Sequence, residues 1–466
     1  MPLSTSLTPF RFILFSVFLL AQFTSSGQVL KKRGQLGVAA VALTDSLAQI
    51  SGLKKKQGVW VRQVLAGSTA EQIGIRPGDV VIQINQQAIT APTDLMAFAQ
   101  QVVEGDSLRI TLLRGGNPQT LRGLAKPRPI PLSADLALTY DHFSFTDNGK
   151  QAGQIRTIVK RAKTFAGQKL PVVYFIQGTS CLSMAYLPDG DPYKLATDEL
   201  ARRGFAVFMI EKPGMGDNTG TASCQSTGFN TELAAFTQGY KRLLTYDWVD
   251  TSRIFLFGHS LGGITAPLLA QTYRPRGIIV FGGVLRTWHD YMVDVIRDQK
   301  ILEGAEPAQA EADLQALRPF LYSYFYQKQS PKELVSANPI IEPLVRRLLD
   351  YEADSLIFGR HYTFWQELNA HNLYAAWQTI HTPVLALYGE ADSNALKPDD
   401  HIQIAAIVNR QHPGLATYQL VAKTNHSMQL AGTMAAYLQH RHEAGQQYPF
   451  NTGMFDDIGK WIRQIG

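Results

Sequence analysis

Two stretches near the start of the chain alternate apolar and polar residues with a period of two, residues 59–64 and 108–113, which is the spacing of half-buried strands. Residues 80–84 form a third short apolar run. Between these lie a short helix opening at 67–72, a turn at Arg76-Pro77-Gly78-Asp79, and a helical spacing of apolar residues over 93–103. The pattern predicts a small β-rich domain over residues 28–125. Residues 126–134, beginning Lys126-Pro127-Arg128-Pro129-Ile130-Pro131, read as a stiff Pro-rich linker.

From residue 135 to 466 the pattern changes. Largely apolar strand-like stretches at 171–177, 205–210, 254–257, 277–281, 384–388 and 417–422 alternate with helical spacing, for instance at 192–203 and 231–245. Such alternation predicts an α/β domain with a mostly parallel sheet covered by helices. One connection is too long for a crossover: about a hundred residues, 284–381, mostly helical and rich in aromatics such as Trp288, Phe320, Tyr324 and Trp365. An insertion ahead of the last two strands is expected to sit over the carboxyl ends of the sheet as a cap.

Composition narrows the class. The 466 residues are 45% hydrophobic and 18% charged, the make-up of a folded chain of two or three domains. The net charge of +6 is thinly spread, with Lys31-Lys32-Arg33 and Lys54-Lys55-Lys56 the only runs, so there is no dense basic face for nucleic acid. Residues 1–27 read as a secretory signal: Arg11, then an apolar stretch over 12–23, then small residues at Ser25 and Gly27. The apolar stretch is short for a membrane span, and either cleavage or retention as an anchor leaves the rest of the chain outside the cytoplasm, in the periplasm or secreted. No stable membrane span is expected after cleavage. The two cysteines, Cys181 and Cys224, permit one disulfide in an exported chain, the other reading being two separate buried thiols.

The candidate chemistry centres on Gly258-His259-Ser260-Leu261-Gly262. This follows the apolar run 254–257 and precedes a helix predicted over 263–273, the strand–turn–helix setting of a nucleophile elbow. Flanking glycines allow a tight turn that exposes the Ser260 hydroxyl. The helix start offers the backbone N–H of Leu261 to a developing oxyanion. A serine needs a base, and the base an orienting acid. Asp392 follows the strand at 384–388, with Glu390 its nearest rival, and His426 follows the strand at 417–422, so both sit on loops at one edge of the sheet. His259 is read as structural. A second oxyanion donor is expected at Thr179, in the loop Ile176-Gln177-Gly178-Thr179-Ser180-Cys181, and Glu211-Lys212-Pro213-Gly214-Met215-Gly216-Asp217 forms a glycine turn after another strand. Cys181 and Cys224 fall in these two neighbouring loops, so a bridge between them would brace the oxyanion wall. No metal cluster, phosphate loop or dinucleotide fingerprint is present in the sequence, and no cofactor is expected.

With elbow, acid, base and oxyanion loop in this order, residues 135–466 resemble the α/β-hydrolase superfamily. Residues 34–116 resemble a bacterial PDZ domain of the kind attached to exported proteases, on Gly34-Gln35-Leu36-Gly37-Val38, Gly67-Ser68-Thr69-Ala70, Gly74-Ile75-Arg76-Pro77-Gly78-Asp79-Val80 and Ile84-Asn85. The resemblance implies that a peptide C-terminus docks as an added strand, its carboxylate held by backbone N–H groups near Leu36, Gly37 and Val38. A purely packing role for this domain is the other reading.

Three functions follow from these residues. The aromatic cap and complete triad point to hydrolysis of carboxylic esters through an acyl-enzyme. The PDZ resemblance points to a peptidase similar to the prolyl-oligopeptidase or proline-iminopeptidase groups, for which Glu303, Glu306, Glu311 and Asp313 are the candidate anchors of a substrate amine. An inactive binding protein is the third. The expected partners are a small ester or peptide substrate and a peptide C-terminus at the PDZ domain.

Overall fold

The computed structural model describes residues 30–50, 57–99, 101–130, 133–165, 168–353, 355–443 and 445–466. The expected signal at 1–27, the run Lys54-Lys55-Lys56 and residues 131–132 of the linker lie outside the described residues. Among the described residues no helix is long and apolar enough to cross a membrane.

The first sheet is antiparallel in the order Val38–Ala42, Val59–Val64, Val80–Ile84, Ser107–Arg114, Asn117–Leu124, with Gln87–Ala88 paired to Val80–Ile84. The alternation read in the sequence is visible in burial: Val59, Val61, Ile110 and Leu112 point into the small core while their neighbours face out. Helix Thr69–Ile73 starts at Ser68, whose hydroxyl accepts from Glu71 N–H, and Pro92–Ala99 packs against Val38–Ala42.

The second sheet has eight strands in the order Ala416–Asn425, Val384–Ala391, Gly277–Phe281, Val249–His259, Leu170–Ile176, Ala206–Ile210, Lys150–Ala162, Leu136–Asp147. The first six are parallel, and the last two form an antiparallel hairpin at one edge. The inner parallel strands are covered on both faces and so read as apolar runs, whereas the edge strand Ala416–Asn425 is partly exposed and mixes polar with apolar residues. Val172, Tyr174 and Ile176 pack toward Phe229–Leu243, Gly262–Ala270 and Asp399–Gln411, whereas Val173 and Phe175 pack toward Pro192–Arg202 and Thr452–Ile465. The edge hairpin is absent from the apolar runs of the sequence because Leu136–Asp147 is largely half-exposed and mixes polar with apolar residues.

Between Gly277–Phe281 and Val384–Ala391 stands the helical insertion, including Pro307–Phe325, Glu342–Leu349, Tyr362–Asn369 and a two-strand ribbon, Leu356–Ile357 with Arg360–His361. Leu314, Phe320 and Trp365 belong to the same buried cluster as Leu256 and Ile278 of the sheet. The insertion is therefore packed onto the sheet domain through one continuous core.

The loop after Ala206–Ile210 is held from several sides. The fully buried Glu211 carboxylate accepts from Ser183 Oγ (2.6 Å) and from the N–H groups of Met184 and Ala185 (both 3.0 Å). Asp217 accepts from Tyr186 Oη (2.7 Å) and pairs with Arg156 (3.1 Å). The segment leading into the PDZ domain docks on the same turn: Arg33 N–H donates to Asp217 (2.7 Å) and its Nε to the Gly216 carbonyl (2.6 Å), while Arg156 donates to the Leu30 carbonyl (2.8 Å).

Burial pushes the Glu211 carboxyl up from 4.5 to about 7, against the hydrogen bonds that favour its charged form. The folded protein therefore holds a proton that the unfolded chain releases above its ordinary value. This contribution to stability is fully present below about pH 4.5 and is lost as pH rises through about 7. We expect the unfolding free energy of the wild type relative to Glu211→Gln to fall across that window, by an amount on the order of 3 kcal/mol, and to be flat above it. Denaturant unfolding of both proteins from pH 4 to 8 measures the difference, and a pH-independent difference would refute the assignment.

Candidate active site

Ser260 stands at the turn between Val249–His259 and Gly262–Ala270, with a backbone φ of +54°. That is a left-handed conformation that costs a non-glycine residue about 1–2 kcal/mol. Its neighbours explain the motif. A Cβ at Gly262 would lie 2.0 Å from the Ile176 carbonyl oxygen, and one at Gly258 would lie 2.2 Å from the Gly262 oxygen. The turn is held by Ser260 N–H donating to the Phe281 carbonyl (2.9 Å). Leu261 N–H, at the start of the following helix, donates to no group among the described residues.

His426 and Asp392 meet. His426 Nδ1 is 2.9 Å from each Asp392 oxygen, and Asp392 is fully buried. Burial opposes ionisation of Asp392. His426 and the N–H groups of Ala395 and Asn394 outweigh that effect and hold the carboxyl below its ordinary value. A carboxylate only accepts, so Nδ1 donates, and in the neutral ring Nε2 is the atom with the lone pair. Glu390, the rival acid, accepts instead from Lys423 N–H (2.7 Å).

His259 joins three parts of the site. Its Nε2 is 2.8 Å from the His426 carbonyl, which can only accept, so Nε2 bears the proton. Its Nδ1 then accepts from Tyr193 Oη (3.0 Å), and that oxygen accepts from Gly178 N–H (2.9 Å). Burial drives the His259 pKa down to about 3, so the ring is neutral near pH 7. One proton-ordered chain thus runs from the loop of Gly178 through the elbow to the loop of His426.

The loop after Leu170–Ile176 lies against the serine: a Cβ at Gly178 would be 3.0 Å from Ser260 Cβ and 3.4 Å from its Oγ. Thr179 N–H has no partner among the described residues. The Gly178 carbonyl accepts from Lys212 Nζ (2.5 Å), and the Thr179 carbonyl from Arg360 (3.0 Å). Gln177 is buried with neither amide atom bonded among the described residues. The sequence reading did not single out Tyr193, Lys212 or Arg360. Lys212 had a signal, since it lies in the glycine turn already noted, whereas Arg360 had none.

In the PDZ domain, the carbonyls of Gln35, Leu36 and Gly37 accept from Thr69 N–H (3.2 Å), Ala70 N–H (2.9 Å) and Leu65 N–H (2.9 Å). Because C=O and N–H point opposite ways across a trans peptide, the N–H groups of Leu36, Gly37 and Val38 are turned away from those three donors. Gly37 has φ +76°, and a Cβ there would lie 2.1 Å from Ser68 Cβ.

The sulfurs of Cys181 and Cys224 are bonded, with their Cα atoms 5.8 Å apart and the two residues 43 positions apart in sequence. We expect mass spectrometry of unreduced protein from an oxidising compartment to recover these two cysteines in one cross-linked peptide. The double Ser variant should lose about 2–4 kcal/mol of stability. Free thiols at both positions in folded, unreduced protein would contradict the bridge.

Comparison with known proteins agrees with this architecture. Residues 190–428, just over half of the chain, match the family described as serine aminopeptidase, S33, and residues 34–122 match the PDZ domain family. The periplasmic serine endoprotease DegP of Escherichia coli (strain K12) is 36% identical over 98 residues, covering 21% of this chain and 20% of DegP. The chain thus spans about a fifth to a third of the length of such curated relatives; the probable DegP-like endoprotease of Hahella chejuensis is 30% identical over 158 residues, covering 31% of this chain and 33% of that protein. Among solved structures, esterase Est22 is similar over 71% of this chain and 82% of its own, at 15% identity and a TM-score of 0.41. Est1E from Butyrivibrio proteoclasticus, solved with ferulic acid, is similar over 68% and 94%, at 13% identity and a TM-score of 0.40. By the match over residues 190–428, the chain belongs to the family described as serine aminopeptidase, S33, with an α/β-hydrolase fold, and carries a PDZ domain ahead of its hydrolase domain.

Proposed function

We propose that this protein is an exported hydrolase of carboxylic esters working through Ser260, His426 and Asp392. The observation that carries the reading is the Asp392–His426 pair, whose free Nε2 belongs to a histidine tied through His259 to the strained turn of Ser260. As the Ser260 oxygen bonds to the ester carbon, its proton passes to His426 Nε2, and the carbonyl oxygen takes the negative charge. The N–H groups of Leu261 and Thr179 receive that oxyanion. Collapse expels the alcohol, which takes the proton from His426, and water repeats the sequence to release the acid.

The choice of ester over peptide rests on the cap. Each acid considered as an anchor for a substrate amine is already engaged. Glu303 pairs with Lys300 (2.8 Å) and Arg441 (2.9 Å), and Asp313 pairs with Arg347 (2.7 Å). Glu311 faces Arg297 and Arg318 (both 3.9 Å), and Glu306 caps the helix Pro307–Phe325. The family description favours the second reading, a peptidase that recruits substrates through the PDZ domain. Export is supported by the similarity of the PDZ domain to periplasmic endoproteases and by the paired cysteines.

A fluorophosphonate probe should label Ser260, and Ser260→Ala should lose labelling and at least about a thousandfold in kcat on p-nitrophenyl esters. His426→Ala should lose a comparable amount and Asp392→Asn somewhat less. Aminoacyl-nitroanilides should turn over far more slowly than esters. Retention of a tenth of wild-type kcat in the Ser260 or His426 variant would remove that residue from the mechanism, and the reverse substrate preference would establish the peptidase.

Gly37→Val separates the two roles of the PDZ domain. For an esterase it should leave short-ester kinetics and the relative rates on short and long peptides unchanged. A rise in KM confined to long peptides with free C-termini, and absent when these are amidated, would show that the domain delivers substrates to Ser260.

A further inference from the structure

Behind the loop of Gly178 and Thr179 lies a charged cluster removed from water. Lys212, Glu232 and Arg360 are each buried, with Lys212 and Arg360 among the largest fully enclosed side chains of the protein. Glu232 joins the two cations: its Oε1 is 2.8 Å from Lys212 Nζ and its Oε2 is 2.8 Å from Arg360. Each cation spends a further donor on the backbone of the same loop, Lys212 on the Gly178 carbonyl and Arg360 on the Thr179 carbonyl. Arg360 also donates to the Thr227 carbonyl (3.3 Å), and its guanidinium lies 3.8 Å from the Phe364 ring centroid.

The three residues come from three elements. Lys212 follows strand Ala206–Ile210, Glu232 stands in helix Phe229–Leu243, and Arg360 belongs to the ribbon of the helical insertion. The ribbon is tied to the same wall a second time, where His361 N–H donates to the Gln225 carbonyl (2.7 Å), one residue from Cys224 and its bridge to Cys181.

A peptide unit is planar and trans, so fixing its carbonyl fixes the opposite direction of its N–H. The Gly178 carbonyl shares its plane with Thr179 N–H, and the Thr179 carbonyl shares its plane with Ser180 N–H. Both carbonyls are drawn toward the buried cations, so both N–H groups face away from them, on a loop whose Gly178 lies against Ser260.

We propose that Lys212 and Arg360, linked by Glu232, are positioning residues of the oxyanion hole, and that docking of the helical insertion completes the hole by delivering Arg360. This rests on the reading of Ser260 as nucleophile and Thr179 N–H as oxyanion donor. Neither cation touches substrate. Lys212 acts by holding the Gly178 carbonyl, whose partner N–H is that of Thr179, and Arg360 by holding the Thr179 carbonyl and so fixing the peptide on the other side of the same residue; a donor that must reorient during reaction stabilises the transition state less.

The test compares wild type with Arg360→Lys, Arg360→Met, Lys212→Met and Glu232→Gln, using p-nitrophenyl butyrate and a butyl boronic acid as tetrahedral-anion mimic. Enzyme concentrations are set by active-site titration, so that any unfolded fraction drops out. We expect kcat to fall about tenfold or more in the Met variants, with KM within about threefold of wild type. Boronate affinity should fall by the same factor as kcat, while affinity for butyrate, the product that carries no tetrahedral anion, stays unchanged. Arg360→Lys, which keeps the charge and one donor, should recover part of the loss. Should Arg360→Met fail to fold, Arg360→Lys and Lys212→Met carry the same reading. Variants that keep kcat and boronate affinity within twofold of wild type would overturn the proposal. Equal losses in boronate and butyrate affinity would do so as well, since a general loosening of the site predicts them. A wild-type enzyme not labelled at Ser260 would instead overturn the reading of the nucleophile.

Discussion

The planarity of the trans peptide is the constraint on which two loops of this protein depend, one in each domain. A carbonyl and the N–H that follows it cannot be aimed independently, so a protein can present backbone donors by anchoring the carbonyls behind them. In the PDZ domain, Thr69, Ala70 and Leu65 anchor three successive carbonyls from Gln35 to Gly37. In the hydrolase domain, Lys212 and Arg360 anchor those of Gly178 and Thr179. The first loop uses neutral backbone donors at a domain surface. The second uses buried cations, and this choice shapes the core around it.

Burying three charged groups is costly, and an ion pair in the interior is weak evidence for stability because apolar residues of similar volume often do as well or better. Burial pulls the Lys212 pKa down to about 8. Burial also opposes the charge on Glu232, but Lys212 and Arg360 outweigh it and keep that carboxyl below its ordinary value. An apolar cluster of the same volume could fill the space, but it could not donate to two carbonyls. The hydrogen bonds to the loop are thus the part of this arrangement that packing alone cannot replace. The strain at Ser260 is of the same kind, a local cost held within tight surroundings: a Cβ at Gly258 or Gly262 would strike the Gly262 or Ile176 carbonyl beside the turn.

The two domains are joined at the wall of the site and not only through the linker. Arg33 lies one residue before the PDZ loop, and it holds Asp217 and Gly216 by main chain and side chain. Asp217 in turn holds Tyr186 and Arg156, and Glu211 at the start of the same turn holds Ser183, Met184 and Ala185. Arg128, in the linker, stacks on Tyr186 with 4.7 Å from its guanidinium carbon to the ring centroid. The glycine turn after Ala206–Ile210 is therefore a meeting point of PDZ domain, linker and hydrolase.

Much of this was legible in the amino-acid order because its signals are local. Five of the six parallel strands appear as apolar runs since both faces are covered, the sixth, Ala416–Asn425, being a partly exposed edge, and the elbow declares itself by glycines at the two places where a Cβ would strike backbone. The edge hairpin Leu136–Asp147 with Lys150–Ala162 was not legible, because a half-exposed edge carries no unbroken run. Sequence alone set Asp392 and Glu390 in one loop, and only the folded chain gave Lys423 N–H to Glu390 and His426 to Asp392. Sequence alone likewise placed Lys212 in a turn and left Arg360 unmarked in a helical insertion. What the sequence determined by itself was the set of elements and the residues at their ends, since propensity and periodicity act over a few neighbours. Which buried cation meets which carbonyl was decided by tertiary structure, because Arg360 reaches Thr179 across 181 positions of chain and no local pattern records so distant a partner.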